Sequence, residues 1–124
     1  MLKIKEAIET HDPAKHLEGI KILEKIVQEH PNAKYNAQLM LYIGAYYEYI
    51  SYHKQAIRAF EKVIIEYPNS TMASIAKCAI GVIYEEKLND PSRANAVYRL
   101  VLDKYPNSLE AIWAEEKLGI KKVS

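Results

Sequence analysis

Apolar residues along much of the chain recur three and four positions apart, which is the spacing of one face of an α-helix. The pattern is clearest in the stretches FEKVIIEY and YRLVLDKY, which end at Tyr67 and Tyr105. No segment alternates apolar and polar residues for long enough to form a strand. The hydrophobic pattern therefore predicts an all-α fold.

Prolines and short polar residues predict where these helices end and begin. A proline should stop a helix, because the residue before it avoids the helical conformation, and this applies at Pro31, Pro68 and Pro106. A side-chain oxygen that can cap the next helix stands at Ser70 and Ser108, and also at Asp12 and Asp90, where a first-turn proline follows. These signals predict seven short helices in antiparallel pairs.

The helical pattern repeats along the chain. The segment HLEGIKILEKIVQEHPNA (16–33) aligns without a gap with HKQAIRAFEKVIIEYPNS (53–70), and both align with PSRANAVYRLVLDKYPNS (91–108). The prolines set periods of 37 and then 38 residues, and we place the extra residue in the turn Asn89-Asp90-Pro91. A two-helix unit of this length cannot bury its apolar face alone, so neighbouring units should stack into a curved solenoid.

The spacing of the repeat resembles that of the tetratricopeptide repeat (TPR) family, whose signature runs Leu-Gly, Tyr, Ala, Phe and Pro. The second unit matches it at Met40, Ile43, Gly44, Tyr47, Ala56, Phe60 and Pro68, and the third at Ile80, Gly81, Tyr84, Ala94, Tyr98 and Pro106. The first unit keeps Gly19, Leu23 and Pro31, and the last segment keeps only Leu118-Gly119. The resemblance implies a right-handed α-solenoid of about three helix-pair repeats and a C-terminal capping helix.

This resemblance also implies a domain organisation and a packing scheme. The whole chain, residues 1–124, is expected to be one TPR domain, with repeats at 1–31, 32–68 and 69–106 and a capping helix at 107–124. Gly44 and Gly81 should face Ala56 and Ala94, so that paired helices approach closely.

Composition narrows the possible functions. A chain of 124 residues with 49% hydrophobic and 27% charged residues suits one globular domain, and a net charge of +1 offers no electrostatic footprint for nucleic acid. The longest nearly apolar run, IAKCAIGVIY, is too short to span a bilayer. The charged first residues do not form a signal peptide, so the protein is expected either in the cytoplasm or in the periplasm after removal of a leader.

The long repeat units and the tag (His/Tyr)-Pro-Asn-(Ser/Ala) look like a TPR subtype common in bacterial envelope proteins. Examples are the lipoprotein of the outer-membrane protein assembly machinery and the periplasmic partner of the Tol-Pal system. The resemblance implies an envelope role, although similarity between repeats transfers poorly to function.

The sequence contains no catalytic or cofactor motif. A Gly-rich phosphate loop, a Gly-x-Ser-x-Gly elbow and a His-Glu-x-x-His pair are all absent, so we expect neither an enzyme nor a cofactor. His16 and His53 occupy equivalent repeat positions, too far apart to share a metal, and are expected to be solvated or capping side chains. Cys78 lies among small apolar residues and should behave as one of them.

Recognition of a partner on the surface remains, and in the TPR family the first helices of each repeat line a concave groove. The register predicts that this groove is formed by Gln38, Leu41, Ala45, Glu48, Tyr49, Ile75, Cys78, Val82, Glu85, Trp113 and Glu116, with Glu86 and Ile120 at the same offsets. The predicted groove has an apolar floor and an acidic rim, so it favours an amphipathic helix or an extended apolar peptide. The cations that bind chaperone carboxylates in one branch of the family are missing, since Leu41, Ala45, Ala79 and Trp113 stand in their places.

Five tyrosines crowd into the stretch YIGAYYEYISY and are predicted to have different roles. Tyr47 should pack within its own helix pair, Tyr46 on the preceding helix near Leu23, and Tyr42 towards the neighbouring repeat. Tyr49 should face a ligand, with Tyr52 at the rim.

Two functions fit these observations. The first is an adaptor that binds a peptide or helix of another protein in the groove. The second is a structural module that self-associates into dimers or filaments through its repeat ends or groove.

Overall fold

The computed structural model describes residues 12–120, and this part of the chain is helical without any strand. Its helices are α1 (Pro13–Glu29), α2 (Asn36–Tyr49), α3 (His53–Glu66), α4 (Thr71–Val82), α5 (Pro91–Lys104) and α6 (Leu109–Lys117), and a π-helical turn (Ile83–Lys87) continues α4. Helices that follow one another along the chain pack together: α1 contacts α2, α4 contacts α5, and α5 contacts α6. The predicted all-α repeat fold is confirmed, and the first of the seven predicted helices lies outside the described residues.

The predicted helix ends are confirmed at both termini. The helices α1, α3 and α5 each end two residues before a proline. A side-chain oxygen accepts a hydrogen bond from a first-turn N–H at every predicted cap: Asp12 from Ala14, Ser70 from Met72, Asp90 from Arg93 and Ser108 from Ala111, at 3.0 to 3.1 Å. These caps satisfy amide groups that a helix leaves unpaired at its start.

The chain forms two compact units, Met1–Val63 and Ile64–Ser124, which are described separately below. Buried Ile20, Leu23 and Ile43 form the core between α1 and α2 in the first unit. In the second unit, the core holds Cys78, Ala94, Tyr98, Val101 and Ala114. The division into three repeats and a capping helix stays a prediction.

In the first unit, Gly44 of α2 lies directly against Phe60 of α3. A Cβ atom at this position would lie 2.6 Å from Cε1 of Phe60, whose side chain is only 4% exposed. The three nearest atoms all belong to the ring of Phe60. In the second unit, Gly81 stands in the same relation to the ring of Tyr98. The predicted pairing of these glycines with Ala56 and Ala94 stays a prediction.

The extra residue of the third repeat lies in a helix and not in the turn where it was predicted. The carbonyl of Tyr47 accepts a hydrogen bond from the N–H of Tyr52, whereas the carbonyl of Tyr84, its repeat equivalent, accepts one from Asp90, which is six residues later. Just before these donors, Ser51 and Asn89 both adopt a left-handed conformation, with φ of 63° and 51°. The two helices therefore end in the same way, and the π-helical turn accommodates the additional residue without changing the exit of the chain.

The only cysteine, Cys78, is buried in the core of the second unit with 8% of its surface exposed. Its Sγ donates a weak hydrogen bond to the carbonyl oxygen of Glu110 at 3.8 Å. Burial, and secondly the charge of Glu110, raise the pKa of the thiol to about 12. Cys78 therefore acts as a small apolar residue, as predicted.

Replacing Gly44 with leucine should destabilise the first unit by about 3 kcal/mol or more, because the new side chain would overlap the buried ring of Phe60. Urea unfolding followed by circular dichroism measures this change. The matched control is Ala45→Leu, which adds the same side chain at the exposed neighbouring position and should alter the free energy of unfolding by less than about 0.5 kcal/mol. Equal stability of the two variants would contradict the packing described here.

The native thiol of Cys78 should react slowly with Ellman's reagent at about pH 8, because its raised pKa keeps it protonated and burial blocks access. In urea the thiol recovers an ordinary pKa of about 8.5 and should react completely. A Cys78→Ala, Ala45→Cys variant, whose thiol is on an exposed position, should react quickly in the native state. Rapid reaction of the native wild-type protein would contradict the burial of Cys78.

Candidate functional site

The predicted groove residues fall into both units, and those of the first unit differ in exposure. Gln38, Ala45 and Tyr49 are exposed, whereas Leu41 and Glu48 are half-buried. The carboxylate of Glu48 is paired with Nδ1 of His53 at 2.8 Å. Glu48 is therefore held within the fold and does not form a free acidic rim.

The exposed residues of α2 form a continuous stripe that includes a tyrosine missed at the sequence level. Gln38, Tyr42, Ala45 and Tyr49 are spaced by four, three and four residues, which places them on one side of a helix. We call these four residues the tyrosine face. Tyr42 is 42% exposed, and its hydroxyl accepts a hydrogen bond from Nε2 of Gln38 at 2.7 Å; its predicted contact with a neighbouring repeat stays a prediction. The spacing from Gln38 was the signal that could have identified it.

Two other tyrosines of the cluster belong to the core. Tyr46 and Tyr47 are half-buried and pack on the cluster that contains Leu23, which confirms the position predicted for Tyr46. Burial raises the pKa of both phenols. The ring of Tyr47 also stacks on that of Tyr52, with the centroids 6.3 Å apart. These two tyrosines therefore serve packing, as predicted.

The histidines at equivalent repeat positions have different surroundings. His16, predicted to be solvated or capping, is buried with 2% of its surface exposed, and its ring lies 4.9 Å from that of Tyr49 and 6.0 Å from that of Tyr46. The prediction was wrong because the aromatic residues of α2 cover this part of α1. His53 instead pairs with Glu48 at the start of α3. Within residues 12–120, no three His, Cys, Asp or Glu side chains are grouped so that they could hold a metal ion.

The predicted groove residues of the second unit are less available for binding. Ile75 and Glu116 are exposed, Val82 is half-buried, and Cys78 is buried, so the expectation that its side chain lines a groove does not hold. A partner could reach the thiol only if the core of the unit opened.

Glu85 and Trp113 are engaged around the buried ring of Tyr98. The hydroxyl of Tyr98 donates to Oε2 of Glu85 at 2.7 Å, and Nζ of Lys117 lies 3.4 Å from Oε1 of the same carboxylate. Trp113 meets the ring of Tyr98 edge-on at a centroid distance of 5.4 Å, and Lys117 lies over its indole. Burial first, and then the bond to Glu85, raise the pKa of Tyr98. Glu85 thus accepts the hydrogen bond that the buried hydroxyl of Tyr98 donates.

A cleft that the sequence did not predict lies in the first unit, between α1 and α3. Its volume is about 590 Å³, and its floor is formed by Met40, Ile43 and Tyr47 of α2. Glu24 stands on the α1 side, and Arg58 and Lys62 stand on the α3 side, with Gln28 and Gln55 also at the edge. Sequence patterns assign these residues to helices but do not give the distance between α1 and α3.

No helix in the described part of the chain is both long and apolar enough to cross a membrane.

The repeats match a known family. A family model described as tetratricopeptide repeat matches residues 38–70 and 79–108, about half of the chain. Both matches end at a serine that caps the following helix, Ser70 or Ser108. A search of curated proteins finds no match. TPR domains generally mediate protein–protein interactions and are typically non-enzymatic scaffolds. Since the repeats, the glycine contacts and the family match agree, the chain belongs to the tetratricopeptide repeat family.

Proposed function

We propose that the protein is an interaction module that binds a peptide or helix of a partner protein on the tyrosine face of α2. The observation that carries this proposal is the exposure of Tyr42 and Tyr49, at 42% and 49%, on a face without any charged residue. Tyrosine is enriched at protein interfaces because its ring buries much apolar area while its hydroxyl remains hydrogen-bonded. An uncharged face with two such rings suits an apolar segment of a partner.

Both rings are positioned before any partner arrives. The hydroxyl of Tyr42 is hydrogen-bonded to Gln38, and the ring of Tyr49 lies against buried His16. A side chain that is already ordered loses less conformational entropy on binding, so more of the contact energy contributes to affinity. The tyrosine face is therefore better suited to binding than a set of mobile surface side chains.

The spacing of the two tyrosines indicates what they can hold. Seven residues of helix separate Tyr42 from Tyr49, a rise of about 10 Å at 1.5 Å per residue, and the small side chain of Ala45 lies between them. The short side chain of Ala45 fills little of the space between the two rings. A bulky apolar side chain from a helical or extended peptide would fit there.

The double variant Tyr42→Ser, Tyr49→Ser should bind the partner at least about 30-fold more weakly, because the loss of even one hot spot costs about 2 kcal/mol. The measurement is affinity capture from an extract of the source organism, followed by titration of the captured protein. Leu100→Ser is the matched control, because Leu100 is 47% exposed on α5 of the second unit and should leave binding unchanged. Circular dichroism should show that both variants are folded. Equal capture by the two variants, or no specific capture by the wild type, would contradict the proposal.

A second candidate function, self-association, is favoured by the exposed side of α6. Leu109 is 79% exposed and Ile112 is 54% exposed, three residues apart on one side of this helix. An apolar helix face of this kind suits contact with a second copy of the chain.

If copies associate through α6, the mass measured by light scattering should rise with protein concentration and return to that of a monomer in Leu109→Glu, Ile112→Glu. A charge buried in an apolar interface is strongly unfavourable. The control Leu100→Glu introduces a charge at an exposed position of α5 and should leave the mass unchanged. A constant monomer mass for the wild type at all concentrations would exclude this candidate.

A narrower proposal places this interaction role in the bacterial envelope. Its support is the long repeat of 37 and 38 residues and the Pro-Asn tags at 31, 68 and 106. Export of the full-length gene product, measured by fractionation of cells of the source organism, tests it. Recovery only from the cytoplasm would contradict it.

A further inference from the structure

We propose that the cleft between α1 and α3 is a second peptide site, which binds a short acidic segment of a partner protein that also carries a bulky apolar side chain. This site is separate from the tyrosine face. At about 100° per residue, the floor residues Met40, Ile43 and Tyr47 lie about 160° around α2 from that face. A partner on one side of α2 would not cover the other, so the two sites can be occupied independently.

The size and floor of the cleft suit the apolar part of such a segment. Its volume of about 590 Å³ is within the range of about 300–1,000 Å³ found for ligand pockets. Met40 and Ile43 are 5% and 7% exposed and close the base of the cleft, while the half-buried Val27, Tyr47 and Ala59 expose more of their apolar atoms. A methionine in the floor can adapt to different side chains because its thioether chain is flexible. The floor therefore offers contact to an aliphatic or aromatic residue.

The end of the cleft at Tyr47 is negatively charged. Burial, and secondly the charge of Glu24, raise the pKa of the Tyr47 phenol, and both residues line the cleft. The ring of Tyr47 is held by stacking on Tyr52. This end should disfavour an acidic group.

The α3 wall carries the opposite charge. Arg58 and Lys62 are one helical turn apart and exposed, and neither forms a salt bridge with a carboxylate within residues 12–120. The equivalent positions on α5 are Ala96 and Leu100, so the repeat does not need cations here for its own packing.

Two cations that have no carboxylate partner among residues 12–120, opposite one carboxylate, favour an acidic ligand. Arginine can bind a carboxylate through two parallel hydrogen bonds, and lysine adds a second positive charge about 6 Å further along the helix. An acidic side chain on each of these cations would place the apolar residue of the same segment over Met40 and Ile43. Charge complementarity thus selects the acidic segment over a basic or purely apolar one.

The test is selection of a display library of random twelve-residue peptides against the whole chain, with the selected sequences resynthesised and titrated by fluorescence polarisation. The selected peptides are expected to carry at least two Asp or Glu residues beside Leu, Met or Phe. Arg58→Glu, Lys62→Glu should weaken their binding by at least about tenfold. The matched control is Lys21→Glu, Lys54→Glu, which makes the same change in net charge at exposed lysines outside the cleft and should weaken binding by less than about threefold.

A second selection against Arg58→Glu, Lys62→Glu should enrich basic peptides in place of acidic ones. Failure to select acidic peptides with the wild type, or equal weakening by the two double variants, would overturn the proposal. Binding that is lost in Tyr42→Ser, Tyr49→Ser and kept in Arg58→Glu, Lys62→Glu would also overturn it, because the peptide would then occupy the tyrosine face. Since the tyrosine face is tested with other substitutions, failure of the proposed function leaves this result interpretable.

Discussion

The contact of an aromatic ring with a helical glycine organises both units. Phe60 lies on Gly44 and Tyr98 lies on Gly81, at distances that leave no room for a Cβ atom. Because the ring rests directly on the backbone, the paired helices approach closely, and the small residues nearby are buried with them. In the first unit this contact occupies one side of α2. Another side packs on α1, and the proposed binding sites are on the sides that face the cleft and the solvent.

The surface chemistry of the two units differs because of a single hydroxyl group. Phe60 and Tyr98 are equivalent in the repeat, as are Glu48 and Glu85. The buried hydroxyl of Tyr98 needs an acceptor. Glu85 accepts its hydrogen bond, and Lys117 lies beside the same carboxylate. Phe60 has no hydroxyl that needs an acceptor, and Glu48 pairs with His53 instead. The same repeat position thus serves the core in one unit and a helix start in the other.

The candidate sites show where reasoning from the repeat register succeeded and where it failed. The register correctly placed Gln38, Ala45 and Tyr49 at the surface, because exposure on a single helix follows from its period. It also assigned Cys78 to the surface, but the second unit buries it. A register gives the direction of a side chain from its own helix. It does not show which neighbouring helix lies there.

The sequence by itself determined the helices, their caps, the repeat and the family, because these depend on residues within a few positions of one another or on a fixed period. The tertiary structure alone decided the burial of His16, the exposure of Tyr42, the π-helical turn that absorbs the extra residue, and the cleft beside Arg58 and Lys62. Each of these depends on how close two helices lie and on which side chains fill the space between them. That distance is set by packing across the unit, which no local pattern in the chain records.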